Sequence, residues 1–318
     1  MTDFENKITI GVSSCLLGNE VRYDGGHKHD RYITETLGRY LSFVPVCPEV
    51  ECGLPIPREA MRLVGEVDRP QLVTNKTGVD HTDRMLTWAR KKVVELEKEN
   101  LCGFIFKNRS PSSGMERVKV YDGNNVPRAV GVGIFARAFK DHFPLLPTEE
   151  EGRLHDPLLR ENFIEQIFVY QRWREVADAP TAAKLISFHT THKLLLMAHS
   201  EKHTREMGRL MAQAGSLDLD TFIERYQELL MAAMSLKPTT KKHVNVLQHM
   251  MGFFKKMISA DEKQELLSVI EQFRNNIVPL IVPVTLINHY IRKYQEPYLM
   301  QQHYLTPHPL ELKLRNHA

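Results

Sequence analysis

Hydrophobic positions are distributed differently in the two halves of the chain. In the first half, KITIGVSS, LSFVPV and CGFIFK are short runs rich in Ile, Val and Phe, the pattern of strands buried on both faces. RVKVY and AVGVGIF predict two more strands. Between the runs, DRYITETLGRY and TDRMLTWARKKVVELEKEN repeat apolar residues at helical spacing, the second behind a Thr or Asp cap. Strand–helix–strand alternation predicts an α/β domain with a largely parallel, Rossmann-like sheet over residues 1–150. FPLLPTEEEGRLHDPLL, with its prolines and acidic run, reads as the boundary. Beyond it strand signals vanish. Residues 155–318 carry about six helical patterns, from LRENFIEQIFVYQRWREV to VTLINHYIRKYQEPYL, and predict an all-α domain.

Composition narrows the classes. With 42% hydrophobic and 25% charged residues among 318, the chain can bury two ordinary cores. No run of about 18 apolar residues occurs, and the start of the chain lacks a signal-peptide pattern, so a cytoplasmic protein without membrane contact is expected. Net charge is only +3. Lys and Arg balance Asp and Glu at 21 each over residues 1–150, so bulk charge does not demand a polyanion. Four cysteines in such a chain favour thiol or metal chemistry over a disulfide framework.

Three unusual loops each follow a predicted strand, and in parallel α/β sheets the loops at the carboxyl ends of strands meet at one rim. ITIGVSSCLLG delivers Cys15; LSFVPVCPEVECGL delivers Cys47, Glu49 and Cys52; GFIFKNRSPSSG delivers Ser110, Ser112 and Ser113. Cys102, at the start of a strand, is expected in the core. C-x4-C is a spacing used for iron–sulfur ligation. Structural zinc normally takes four protein ligands, whereas three thiolates on a cubane leave one metal corner open for substrate. Glu49, beside a thiolate, is suited to move protons, and the serine-rich turn to orient a base or a water.

Four motifs, S-S-C-L-L-G, R-Y-D-G-G-H, V-C-P-E-V-x-x-G-L-P-x-P-R and S-P-S-x-G, occur in order over residues 8–140. Together they resemble the thiouracil desulfidase family, and FHTTHKLLLMAHS with the stretch around HVNVLQHMMGFF is similar to a YbgA-like helical domain. The resemblance implies a 4Fe–4S cluster and a non-redox exchange of C=S for C=O. It puts cluster ligands on Cys15 and Cys47, the catalytic carboxylate on Glu49 and the catalytic serine on Ser110. It further implies 4-thiouridine in tRNA as substrate, and no nicotinamide cofactor. The family's S-P-S-C-G is here S-P-S-S-G, ending on Ser113, while Cys52 stands where the family has glycine. That exchange predicts Cys52 as third ligand, with the harder Ser113 hydroxyl as the alternative. Ser112 and Ser113 are expected at the substrate. In the helical domain Lys242, His249 and Arg292 are expected to meet phosphate. His189, His192, His199 and His203 form one stripe if their helix runs unbroken. The rival expectations are desulfuration of free thiouracil or thionucleosides, and a non-catalytic nucleic-acid-binding metalloprotein.

Overall fold

A computed structural model describes residues 7–215 and 217–316. These fall into two compact units, divided between Asp156 and Pro157.

The first unit contains a four-stranded parallel sheet. Strands β1 (Ile8–Ser13) and β2 (Leu41–Val46) are the two runs expected from the sequence. The sheet order is β2-β1-β5-β8, with β5 at Phe104–Phe106 and β8 at Thr148–Glu150. The chain passes from β1 to β2 on one side and later adds β5 on the other, so a topological switch point lies at the carboxyl ends of β1 and β5. Phe104, Phe106, Phe135 and Phe139 are fully buried beneath it. Cys102 is also fully buried, as expected of a core residue.

A second, mixed sheet was not foreseen. Its order is β4-β3-β6-β7, built from β3 (Met61–Gly65), β4 (Pro70–Thr74), β6 (Val118–Tyr121) and β7 (Pro127–Gly131). β3 and β4 form a hairpin too short and too interrupted by turn residues to register as alternation. AVGVGIF is not one strand: β7 stops at Gly131, and Ile134 opens helix α3 (Ile134–His142). Ile134, Phe135, Ala136 and Phe139 bury one face of that helix. Helix α2 (Thr82–Glu97) forms as expected, burying Met85, Ala89, Val93 and Leu96 at helical spacing. DRYITETLGRY instead forms a π-turn over Tyr32–Thr36 and a 3₁₀ turn over Leu37–Arg39. The short helix α1 (Pro48–Glu51) carries the CPE motif.

The second unit is helical throughout its described residues. Helices α4 (Pro157–Ala177), α5 (Ala182–His199), α6 (Glu201–Ala212), α7 (Leu219–Met234) and α8 (Thr240–Phe253) are followed by α9 (Ala260–Arg274), α10 (Ile281–Tyr294) and the short α11 (Pro297–Met300). The histidine stripe is broken. Ser200 adopts an extended backbone, ends α5 and caps α6 by accepting the His203 N–H, so His203 belongs to a different helix from His189, His192 and His199. None of the described helices is long and apolar enough to cross a membrane.

Candidate active site

The three loops at the switch point converge on one cavity of about 350 Å³. Cys15, Cys47, Glu49, Ser110 and Ser113 line it, together with Lys107 and Arg58.

Each loop is held by identifiable bonds. Cys15 sits in a 3₁₀ turn that starts as β1 ends, and its carbonyl accepts the Lys28 N–H at 2.9 Å. Cys47 is the extended residue before α1, with Pro48 at the first helical position, where a missing N–H costs nothing. Its own N–H donates to Glu51 Oε1 at 2.8 Å. The serine turn is clamped from two sides. Helix α3 spends its first backbone N–H groups on it: Ile134 donates to the Pro111 carbonyl, and Phe135 and Ala136 to that of Ser112. Any side chain at Gly114 would strike the Ser110 carbonyl and Val118, so the turn requires glycine there. On the other side, the acidic run read as a domain boundary is strand β8 and its continuation. Glu150 accepts the Met115 N–H at 2.7 Å, and Glu151 accepts both the Asn108 N–H at 2.7 Å and the Lys107 ammonium. Reading the acidic run as a boundary gave no sign of this role, because its partners lie some forty residues earlier in the chain.

A hydroxyl relay leads from the cavity wall to the carboxylate through Ser112, which was expected at the substrate but is fully buried and absent from the cavity lining. Ser110 Oγ accepts the Ser113 N–H at 3.1 Å and lies 2.9 Å from Ser112 Oγ. Ser112 in turn donates to Glu49 Oε1. Glu49 Oε2 lies 3.6 Å from Cys47 Sγ and 3.8 Å from the Arg58 guanidinium. Arg58, which the motif reading left unassigned, donates to the Val21 carbonyl at 3.0 Å and brings its positive charge near the carboxylate's second oxygen. Burial, reinforced by the Glu49 charge, pushes the Cys47 thiol up to about 12. Burial also raises Cys15 to about 11, against the lowering influence of Lys107. Metal binding would have to displace the protons of both thiols.

The expected site residues do not all meet here. Cys52 is absent from the cavity lining. Its sulfur donates to the Glu49 carbonyl at 3.2 Å, on the far side of the α1 turn, and its side chain packs against the cluster of Leu63, Leu72, Met85 and Val118. Ser113 lines the cavity at 3% exposure, and its hydroxyl makes no hydrogen bond among the described residues. Lys242 Nζ is occupied by the carbonyls of His199 and Lys237, at 2.6 and 3.2 Å, and so ties α8 to the end of α5. His249 and Arg292 are exposed on α8 and α10.

The second unit holds its own polar cluster, closed to solvent. Arg315 donates to Glu161 at 3.2 Å, to Glu165 at 2.9 Å and to the Tyr304 carbonyl, and His199 lies 3.0 Å from Glu165. Burial pushes Glu165 upward, but the His199 hydrogen bond and the Arg315 charge hold it well below the usual carboxylate range. Burial and the neighbouring Glu165 charge raise Glu161 to about 8. Glu161, Glu165 and His308 bring ligand atoms within 4.8 Å of one another, a spacing that suits a metal. The cation already there is Arg315.

A parallel α/β unit thus presents thiols, a carboxylate and hydroxyls at its switch point, a donor set suited to a metal-thiolate centre. Residues 10–151, which include the whole cavity, match the 2-thiouracil desulfurase family, and residues 193–309 match a family described as a protein of unknown function, DUF1722. The uncharacterized protein YbgA of Escherichia coli K12 is 30% identical over 137 residues, 43% of this chain and 81% of its own length. The uncharacterized protein YbbK of Bacillus subtilis 168 is 30% identical over 137 residues, 41% of this chain and 89% of its own length. A solved chain titled a [4Fe-4S]-dependent thiouracil desulfidase, TudS, is 29% identical, covering 47% of this chain and 95% of its own, with a TM-score of 0.38. The chain belongs to the two-domain family that joins a 2-thiouracil desulfurase unit to a YbgA-like unit.

Proposed function

We propose that the protein is a tRNA 4-thiouridine desulfidase, replacing C=S by C=O on the uracil ring with release of sulfide. The observation that carries this reading is the convergence of Cys15, Cys47, Glu49, Ser110 and Ser113 on one cavity about large enough for a single base.

The donor set fits a 4Fe–4S cluster with one ligand changed. Cys15 and Cys47 offer two thiolates; the third donor facing the same space is the unbonded Ser113 hydroxyl, not Cys52. A cluster held by these residues would supply Lewis-acid activation of the thiocarbonyl. The remaining work falls to the protein's own groups. Glu49 takes a proton from the water that adds to the ring carbon and returns it as the C–S bond breaks. The Ser112 hydrogen bond keeps one of its oxygens in a fixed direction, and the Arg58 charge lies 3.8 Å from the other. Ser110 orients Ser112 and, at the cavity wall, the base or the water. C=O replaces C=S: the hydroxyl of the adduct also gives up its proton through Glu49 as the carbonyl forms, so both hydrogens of the water leave with the sulfur as hydrogen sulfide and no electrons are transferred.

Anaerobic reconstitution tests the reading. About four irons per chain, together with sulfide release from 4-thiouridine in tRNA, is the expected result. Zinc in place of iron, or no sulfide from any thiolated uracil, sinks it. The third ligand is tested in the same preparation: Ser113→Ala should lower iron content and alter the low-temperature EPR of the reduced cluster, whereas Cys52→Ser should leave both as they are.

A further inference from the structure

The cavity does not end at its own rim. A second depression, of about 540 Å³, shares Met61, Arg109 and Pro111 with it and continues across the β4–β3–β6–β7 sheet. Its ionisable lining, apart from Tyr121, is Arg62, Arg109, Arg117 and Lys119: four cations and no carboxylate. Charge over residues 1–150 is balanced at 21 against 21, so this concentration arises from placement, not composition.

The cations are also poorly paired. Arg109 and Lys119 make no ion pair among the described residues, and Arg117, 81% exposed, has only Glu116 at 4.0 Å. Arg62 lays its guanidinium 4.9 Å from the centre of the Tyr121 ring and donates Nη1 to the Asn125 side chain, a neutral partner, while its buried Nε has none. Arg109 occupies left-handed backbone, φ 56°, at the junction of the two depressions. A non-glycine residue there is held against its preference, which projects a charged side chain at the mouth of the reaction cavity.

We propose that this groove binds the sugar–phosphate backbone of the RNA strand that flanks the reacting base, with Tyr121 and Arg62 offering a face on which a neighbouring base stacks. The inference rests on the desulfidase reading and relocates its RNA contact from the helical unit to the catalytic one. A base that enters a pocket from a polymer brings its two flanking phosphates to the pocket rim. Unpaired Arg and Lys in a concavity, beside an aromatic ring, match what a single strand presents. A lipid surface or an acidic protein has no reason to sit at the entrance of a cavity built for a pyrimidine.

The test uses the full-length protein and a labelled single-stranded RNA of about ten nucleotides containing one 4-thiouridine. Dissociation constants are measured by fluorescence anisotropy across a salt series for wild type, the double variant Arg117→Glu/Lys119→Glu, and Lys98→Glu at the end of α2. Both groove positions are exposed, and matching melting curves verify the fold. The double variant should weaken binding by roughly tenfold or more and reduce the salt slope by about 2, while Lys98→Glu changes neither. An unchanged constant and slope in the double variant, or an equal loss in Lys98→Glu, overturns the groove. Sulfide release by reconstituted wild type from 4-thiouridine in tRNA, and from free thiolated uracils, is scored separately. Its absence sinks the desulfidase reading even if RNA binds, whereas its presence with groove-independent RNA binding sinks only this inference.

Discussion

The cavity of the α/β unit and the buried cluster of the helical unit use the same kinds of side chain, carboxylates beside basic and hydroxyl groups. In the helical unit the charges close on each other. Arg315 spends all three of its nitrogens on Glu161, Glu165 and the Tyr304 carbonyl, and His199 completes Glu165. In the cavity the corresponding groups stay open: Cys15 and Cys47 are buried thiols, the Ser113 hydroxyl is unbonded, and Glu49 has a hydroxyl, the Cys47 thiol and a guanidinium 3.8 Å away as partners. Charge pairing separates the two. A buried cluster whose charges pair with one another holds a fold together, even with His308 Nε2 left without a hydrogen-bond partner, and one whose thiols and hydroxyl face a cavity is available for chemistry.

Substitutions that cross this line should separate activity from stability. The largest effect is expected from Cys47→Ala, which should abolish both iron content and sulfide release; an iron count per chain and methylene-blue sulfide assay check it. Glu49→Gln should lower turnover by about 10²- to 10⁴-fold while the melting temperature holds, because a hydrogen-bonding partner for Ser112 survives but the proton carrier does not. On the other side, Glu165→Gln should cost about 3–5 kcal/mol in denaturant unfolding of the helical unit, since it strands the Arg315 charge in a dry interior. Glu161→Gln should be far milder, within about 1 kcal/mol at neutral pH, because Glu161 already holds its proton there. That difference has a pH signature. Glu161 titrates at about 8 in the fold against the ordinary value of 4.5, so the folded state binds the extra proton between those values. Its contribution is fully present below pH 4.5 and is lost as pH rises through 8. Wild type minus Glu161→Gln stability should therefore fall across that window, and a flat difference would remove the raised pKa.

Much of this was legible in the sequence where physics is local. Buried parallel strands announce themselves as unbroken Ile, Val and Phe runs, so β1, β2 and β5 were found, and with them the rim that gathers Cys15, Cys47, Glu49 and the serine turn. What escaped depended on partners distant in the chain. The hairpin of β3 and β4 lacks alternation and gains its meaning from pairing with β6. α3 was hidden because AVGVGIF runs apolar straight through the strand–helix junction at Gly133. Cys52 shares a loop with Cys47, yet one helical turn rotates it toward Leu63 and Met85. Spacing alone does not encode that rotation. Lys242, chosen for its charge on a helix face, is consumed by the carbonyls at the end of α5.

Strand β8 imposes an order in time. Cys15 and Cys47 leave the ribosome early, but Glu150 and Glu151, which fasten the serine turn, emerge about a hundred residues after Cys47. At typical synthesis speeds that is several seconds during which the two thiols exist without their third wall. All three donors, Cys15, Cys47 and Ser113, are thus synthesised before the clamp that gathers them into one cavity.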